Sequence, residues 1–129
     1  MSEALKKVEC ITAFVEDLAA TKSFYGKIFG RKTVYEDAVS AVFAFDGLMI
    51  NLLQISEAPQ LIQPVKVADR SAGQRLMLTI LVPNVDEACK ELAASGVSLL
   101  NGPQDRPWGR RTAAFADPAG LVWELAHEL

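Results

Sequence analysis

One histidine, two cysteines and no run of like charge leave several functions without their usual chemistry in this 129-residue sequence. Cys10 and Cys89 are too few for a disulfide framework, and a chain of this length builds a core without such staples, so both are expected as reduced, buried thiols. Their spacing is not that of a metal knuckle. Nucleophilic catalysis lacks support as well: neither cysteine has a histidine partner in pattern, and no serine sits in a sharp nucleophile turn. Lysine and arginine number 13 against 16 acidic residues, for a net charge of −3. With both signs interspersed, there is no basic stripe for nucleic acid. The apolar runs are too short to span a bilayer, and the opening "MSEALKKVEC" lacks the apolar centre of a signal peptide. A cytoplasmic protein with no membrane partner is expected.

What is present is apolar residue, half of the chain, enough for one globular domain over 1–129. "ECITAFV" reads as a strand. "EDLAATKSFYGKIFG" reads as a helix, with Asp17 as cap, Leu18, Phe24, Tyr25 and Ile28 on one face, and Gly30 as stop. "KTVYE" is an additional strand, and "AVFAF" and "LMINLL" form a hairpin through Asp46–Gly47. The order then repeats. "RLMLTILV" is a strand and "NVDEACKELAASG" a helix capped by Asn84, with Val85, Ala88, Cys89 and Leu92 inward. "VSLL", "RTAAFA" and "LVWEL" are expected as strands, the last two joined by a "DPAG" turn. Two copies of a strand–helix–strand–strand–strand unit result, an α+β fold with module 1 at about 7–56 and module 2 at about 75–129. The segment between them, 57–74, has little periodicity and reads as a linker, an arm or a lid.

Within "LVWEL" one carboxylate, Glu124, interrupts an apolar strand, and a charge there must meet water, a partner or a ligand. Side chains alternate along strands, so Ile11, Ala13 and Val15 face the first helix and Cys10, Thr12 and Phe14 face away. Leu78, Ile80 and Val82 likewise cover the second helix, leaving Met77, Thr79 and Leu81 opposite. Leu121, Trp123 and Leu125 pack under that helix while Val122 and Glu124 point to the other side. A turn closed by a left-handed Gly120 sets Ala114 beside Glu124; a two-residue loop shifts that pairing. Met49, Asn51 and Leu53 share the corresponding face of module 1. The lining is apolar with few polar groups, Thr12, Asn51, Thr79 and Glu124, which suits a small-molecule pocket.

The repeated unit, with "VEDLAATKSFYGKIFG" in one copy and "PWGRRTAAFADPAGLVWEL" in the other, resembles the vicinal oxygen chelate superfamily of glyoxalases, extradiol dioxygenases and bleomycin-resistance proteins, over essentially the whole chain. That resemblance implies two tandem βαβββ modules with curved mixed sheets around an incomplete barrel-like cavity, and a homodimer. In the superfamily's metal enzymes the ligands come from the first and last strands of each module. Those places fall here on Cys10, Asn51, Met77 and Glu124, and only Glu124 is a usual ligand. Thiol, thioether and amide substitute poorly for imidazole and carboxylate. His127, three residues from Glu124, lies on the opposite face of a regular strand. No metal is expected; nickel, zinc, manganese or iron belongs to the alternative.

The expected ligand contacts are Thr12, Phe14, Asn51, Met77, Thr79, Trp108, Arg110, Ala114 and Glu124, with Glu124 as the one weak catalytic candidate, a carboxylate able to move a proton in an apolar pocket. Each has a plainer reading. Cys10, Met77 and Phe14 can be core, Glu124 can be a wetted strand carboxylate, and Arg110 or Arg111 can be solvated surface, since they alternate faces. Trp108, between Pro107 and Gly109, either covers a ligand, docks on a partner subunit or plugs the barrel end. The leading reading is a metal-free binding protein that sequesters an aromatic or amphipathic compound. Its alternative is a metal-dependent glyoxalase-like lyase, isomerase or dioxygenase, and a third is an interaction module with a filled cavity.

Overall fold

The structure, a computed structural model, describes residues 4–129. It divides into two compact units, Met1–Val67 and Ala68–Leu129, and the division falls within the 57–74 segment.

In the first unit β1 (Cys10–Val15) leads into α1 (Leu18–Ile28), followed by β2 (Thr33–Glu36), β3 (Ser40–Phe45) and β4 (Leu48–Gln54). The sheet order is β1-β4-β3-β2, with β1 parallel to β4 and the other pairs antiparallel. Asp17 starts the helix as expected, its Oδ1 accepting from the Ala20 amide at 3.0 Å. One of the orphan donors of the first turn is thereby satisfied. The Asp46–Gly47 hairpin pairs Phe45 with Leu48, and Gly47 takes the positive φ of 78° that such a turn requires. Val15, Tyr25, Ala41, Phe43, Ile50 and Leu52 are buried. Tyr25 packs on Phe43 at 5.6 Å and on Phe29 at 5.3 Å between ring centroids. Burial of this apolar surface is what holds α1 on its sheet.

The second unit repeats the order with β5 (Met77–Leu81), α3 (Val85–Ala94), β6 (Asn101–Asp105), β7 (Arg110–Ala116) and β8 (Val122–Glu128), in sheet order β5-β8-β7-β6. Asn84 caps α3 through the Glu87 amide at 3.0 Å, and Asp86 and Glu87 occupy its first turn, where negative charge is favoured by the helix dipole. Val85, Cys89 and Leu92 are buried, as are Ala113, Phe115, Trp123 and Leu125 of the sheet. The turn into β8 is held by Asp117, buried at 2% exposure, whose Oδ1 accepts from the amides of Ala119 at 2.9 Å and Leu121 at 3.0 Å.

One expectation needs correction. The strand placed at "VSLL" lies a few residues on, at Asn101–Asp105; only the Leu100 amide, donating to the Ala114 carbonyl at 2.7 Å, anticipates it. β6 is an edge strand, where a proline without its N–H is tolerated, so "NGPQD" forms a strand against its own propensity. The 57–74 segment, expected as a linker, an arm or a lid, holds the short helix α2 (Ala58–Ile62), with Pro59 near its start, and a 3-10 turn at Arg70–Ala72. Five residues are too few to print a helical period. Both cysteines are free thiols, and burial pushes the Cys89 thiol up from its ordinary pKa.

Candidate functional site

The face of each sheet turned away from its helix carries the candidate residues. In module 2 the register sets Met77 beside Val122, Thr79 beside Glu124 and Leu81 beside Ala126, and on the other side of β8 it sets Ala114 beside Glu124. The longer turn through Gly120 (φ 92°) thus gives the expected pairing. The Thr79 hydroxyl donates to Glu124 Oε1 at 3.0 Å, so the strand carboxylate is held by one neutral donor and keeps most of its accepting capacity. Around it Met77 and Leu81 are exposed, at 48% and 67%. The carboxylate therefore stands between an exposed apolar edge, Met77 and Leu81, and the buried Ala114 and Ala126.

Arg110 shares this face but is committed, its Nε donating to Glu128 at 2.8 Å. Arg111 points to the helix side. There it donates to both Asp86 oxygens, at 2.8 and 2.9 Å, and to Asp105 at 3.0 Å, a fork that holds the Asp86 carboxyl below the usual range. His127 also lies on the helix side, where its Nδ1 accepts from the Val85 amide at 2.8 Å. Trp108 caps the β6–β7 turn at 66% exposure, an open position rather than a plug. Sequence reasoning passed over its neighbour Arg106. The guanidinium stands 6.0 Å from the indole ring centre and donates to Thr112 Oγ1 at 2.9 Å and Asn101 Oδ1 at 3.0 Å. Nothing in local pattern marks it, because the strand that precedes it was misplaced.

In module 1 the register brings Cys10, Thr12 and Phe14 to one face, beside Met49, Asn51 and Leu53. Asn51 Nδ2 donates to Thr12 Oγ1 at 3.4 Å, a long bond, and Asn51 Oδ1 is buried without a partner among the described residues. The Cys10 thiol turns back to the Ile11 carbonyl at 3.6 Å. A separate open cleft of about 480 Å³ lies at the start of α1, lined by Glu16, Asp17, Lys22, Asp37, Ser40 and Gln54. Its charged groups are largely committed: Asp17 to the helix cap, Lys22 to Glu36 at 2.8 Å, and Asp37 to Tyr35 and Ser40.

The superfamily ligand places thus hold a thiol bonded to a backbone carbonyl, an amide, a thioether and one carboxylate. This mixture of soft and neutral donors does not suit a divalent ion held by nitrogen and oxygen ligands. Among the described residues, no three His, Cys, Asp or Glu side chains are grouped, and no helix is long and apolar enough to cross a membrane.

Residues 7–125 match the model of the Glyoxalase/Bleomycin resistance protein/Dioxygenase superfamily. The chain belongs to this superfamily. Solved structures carry the same fold. A glyoxalase/bleomycin resistance protein/dioxygenase from Nocardioides is 23% identical with a TM-score of 0.85, over 96% of this chain and 84% of that one. A lactoylglutathione lyase from Agrobacterium tumefaciens is 20% identical with a TM-score of 0.74, over 92% and 91%. TnmS3, an antibiotic binding protein from Streptomyces sp. CB03234, is 23% identical with a TM-score of 0.75, over 99% and 100%. Superfamily membership thus spans enzymes and binding proteins, and at these identities the likeness speaks for fold alone.

Proposed function

We propose that this chain is a metal-free small-molecule binding protein of the cytoplasm that sequesters an aromatic or amphipathic compound, working as a homodimer. The observation that carries the reading is the open face of module 2, where one lightly engaged carboxylate stands among exposed Met77 and Leu81. Apolar side chains supply the affinity, and the few polar groups fix the orientation of a guest. Thr79 holds Glu124 in place to accept a hydrogen bond, and Trp108 offers a flat surface at the end of the same sheet. Thr12 and Asn51 play the polar part in module 1, between Cys10 and Phe14. Resemblance in fold to an antibiotic binding protein supports an antibiotic as the kind of compound to try first.

The enzyme alternative rests on Glu124, the single usual ligand among the four places, and on the fold shared with a lyase. One experiment separates the two. Protein purified without chelator is assayed for nickel, zinc, manganese and iron, then screened for thermal stabilisation by planar aromatic compounds. The binding reading expects metal well below one equivalent and a melting point raised by at least one compound; a hundredfold excess over Kd adds roughly 2.7 kcal/mol. One equivalent of metal that is lost in Glu124→Gln overturns it.

A further inference from the structure

Both arginines of β7 have acidic partners, whereas Arg106, just ahead of that strand, has none among the described residues. Arg110 has Glu128, and Arg111 has Asp86 and Asp105. Arg106 is half-buried, and among the described residues all of its hydrogen-bond partners are neutral: the Thr112 hydroxyl, the Asn101 amide oxygen and, with its amide turned so that the oxygen faces the guanidinium, Gln104. A partly desolvated guanidinium bonded to uncharged groups keeps its full charge while its plane is fixed. With four of its five N–H groups so engaged, it offers an anion an oriented positive charge and one remaining donor.

Its place in the sheet says where the anion would lie. Asn101 pairs with Ala114, Ala114 with Glu124 and Glu124 with Thr79, so a single row crosses all four strands. Arg106 is fastened at the Asn101 end and the acceptor Glu124 stands two strands away, about 10 Å at ordinary strand spacing. Between them lies Ala114, whose side chain is only a methyl group. Ala114 is itself buried, so the two charges are reached from above the row rather than through it.

Resting on the binding reading above, we infer that the guest is a planar anion, a carboxylate or phenolate, whose negative end is taken by Arg106 and whose hydrogen-bond donor, where it has one, meets Glu124. Arg110, the arginine that sequence favours, is excluded from this role by its own counter-ion. The Arg106 guanidinium is thereby a specificity-determining group rather than only a clasp between β6 and β7.

The test uses the full chain and a matched pair of probes, anthracene-2-carboxylate and anthracene-2-carboxamide, with affinities from titration calorimetry. Wild type is expected to bind the carboxylate at least tenfold more tightly than the carboxamide. Arg106→Gln brings the ratio close to one by weakening the carboxylate alone, and Arg106→Lys, which keeps the charge but not the fork, retains part of it. Should Arg106→Gln fold poorly, Arg106→Lys carries the test: the carboxylate preference is expected to fall, and an unchanged preference overturns the inference. Equal binding of both probes by wild type overturns the anion inference and leaves the binding reading standing. A preference that survives Arg106→Gln also overturns it, by placing the anion on another group. If neither probe binds, the anion inference falls together with the planar-aromatic form of the binding reading.

Discussion

The two modules share a scaffold and differ in what they mount on it. In each, the first amide of the helix is received by the closing strand: Leu18 donates to Gln54 Oε1 at 3.3 Å and Val85 to His127 Nδ1 at 2.8 Å. In each, an Asx cap accepts from the third residue on, and a threonine on the first strand stands beside a polar residue of the last, Thr12 with Asn51 and Thr79 with Glu124. The repetition stops at the faces. Module 1 has a neutral amide with one buried, unsatisfied oxygen, and Val42 at its flank. Module 2 has a carboxylate, an alanine and a guanidinium beyond it. Groups that hold a backbone in place face the same requirement in both copies, whereas the face groups answer to whatever lies against them. Duplicated folds diverge where chemistry is decoupled from scaffold.

Edge strands break the equivalence most sharply. Gly102 in β6 has φ 84°, and a Cβ there would lie 2.5 Å from the Thr112 carbonyl oxygen and 2.8 Å from Ala113 Cα, both rigid backbone. Gly102→Ala is therefore expected to cost about 3 kcal/mol, combining the left-handed conformation with the collision. Val34 of the corresponding edge strand of module 1, β2, is 59% exposed, and Val34→Ala should stay within about 0.5 kcal/mol. Urea denaturation midpoints of the two variants decide it. Comparable losses would mean that β6 is not pressed against β7 as described.

The hairpin turns give the next difference. Asp117→Ala strips two amides of their acceptor at a site closed to water, a loss of about 2 kcal/mol. Asp46, the matching aspartate of the module 1 hairpin, is exposed, and its replacement by alanine should change stability by less than about 0.5 kcal/mol. Thermal unfolding of both variants measures the gap.

What could be read from the chain divides along the same line. Helix caps, the buried row Leu121, Trp123 and Leu125, and the placement of His127 opposite Glu124 follow from local rules that have few competitors. The pairing of Ala114 with Glu124 needed only the turn length to be decided. β6 did not follow, because "NGPQD" contradicts strand propensity and only its edge position makes it tolerable. Misplacing that strand hid Arg106, and without the ion pairs in view Arg110 was the natural choice between 110 and 111. Partner selection among charged groups is a tertiary property. No spacing in the sequence could assign Glu128 to Arg110 while leaving Arg106 to neutral partners.

The smallest effect is electrostatic, and it isolates module 1. Asp37 Oδ2 accepts from the Tyr35 hydroxyl at 2.7 Å, and Oδ1 accepts from the Val39 and Ser40 amides and the Ser40 hydroxyl, each at 2.9 Å. Led by the Tyr35 bond, these donors hold its pKa down at about 2. A depressed carboxylate contributes stability that is present above its unfolded value near 3.8 and is lost as pH falls toward 2. The same contact raises the Tyr35 phenol above its ordinary value. In Asp37→Asn the dependence of stability on pH between about 4 and 2 should flatten, and the Tyr35 phenolate should appear at lower pH in an ultraviolet titration. Tyr25, buried in the core, supplies the internal comparison. Since Asp37 lies in the open, solvent competes for every bond it makes, and the shift should stay below the losses in module 2; an unchanged phenolate titration would show that the Tyr35–Asp37 contact does not persist in solution.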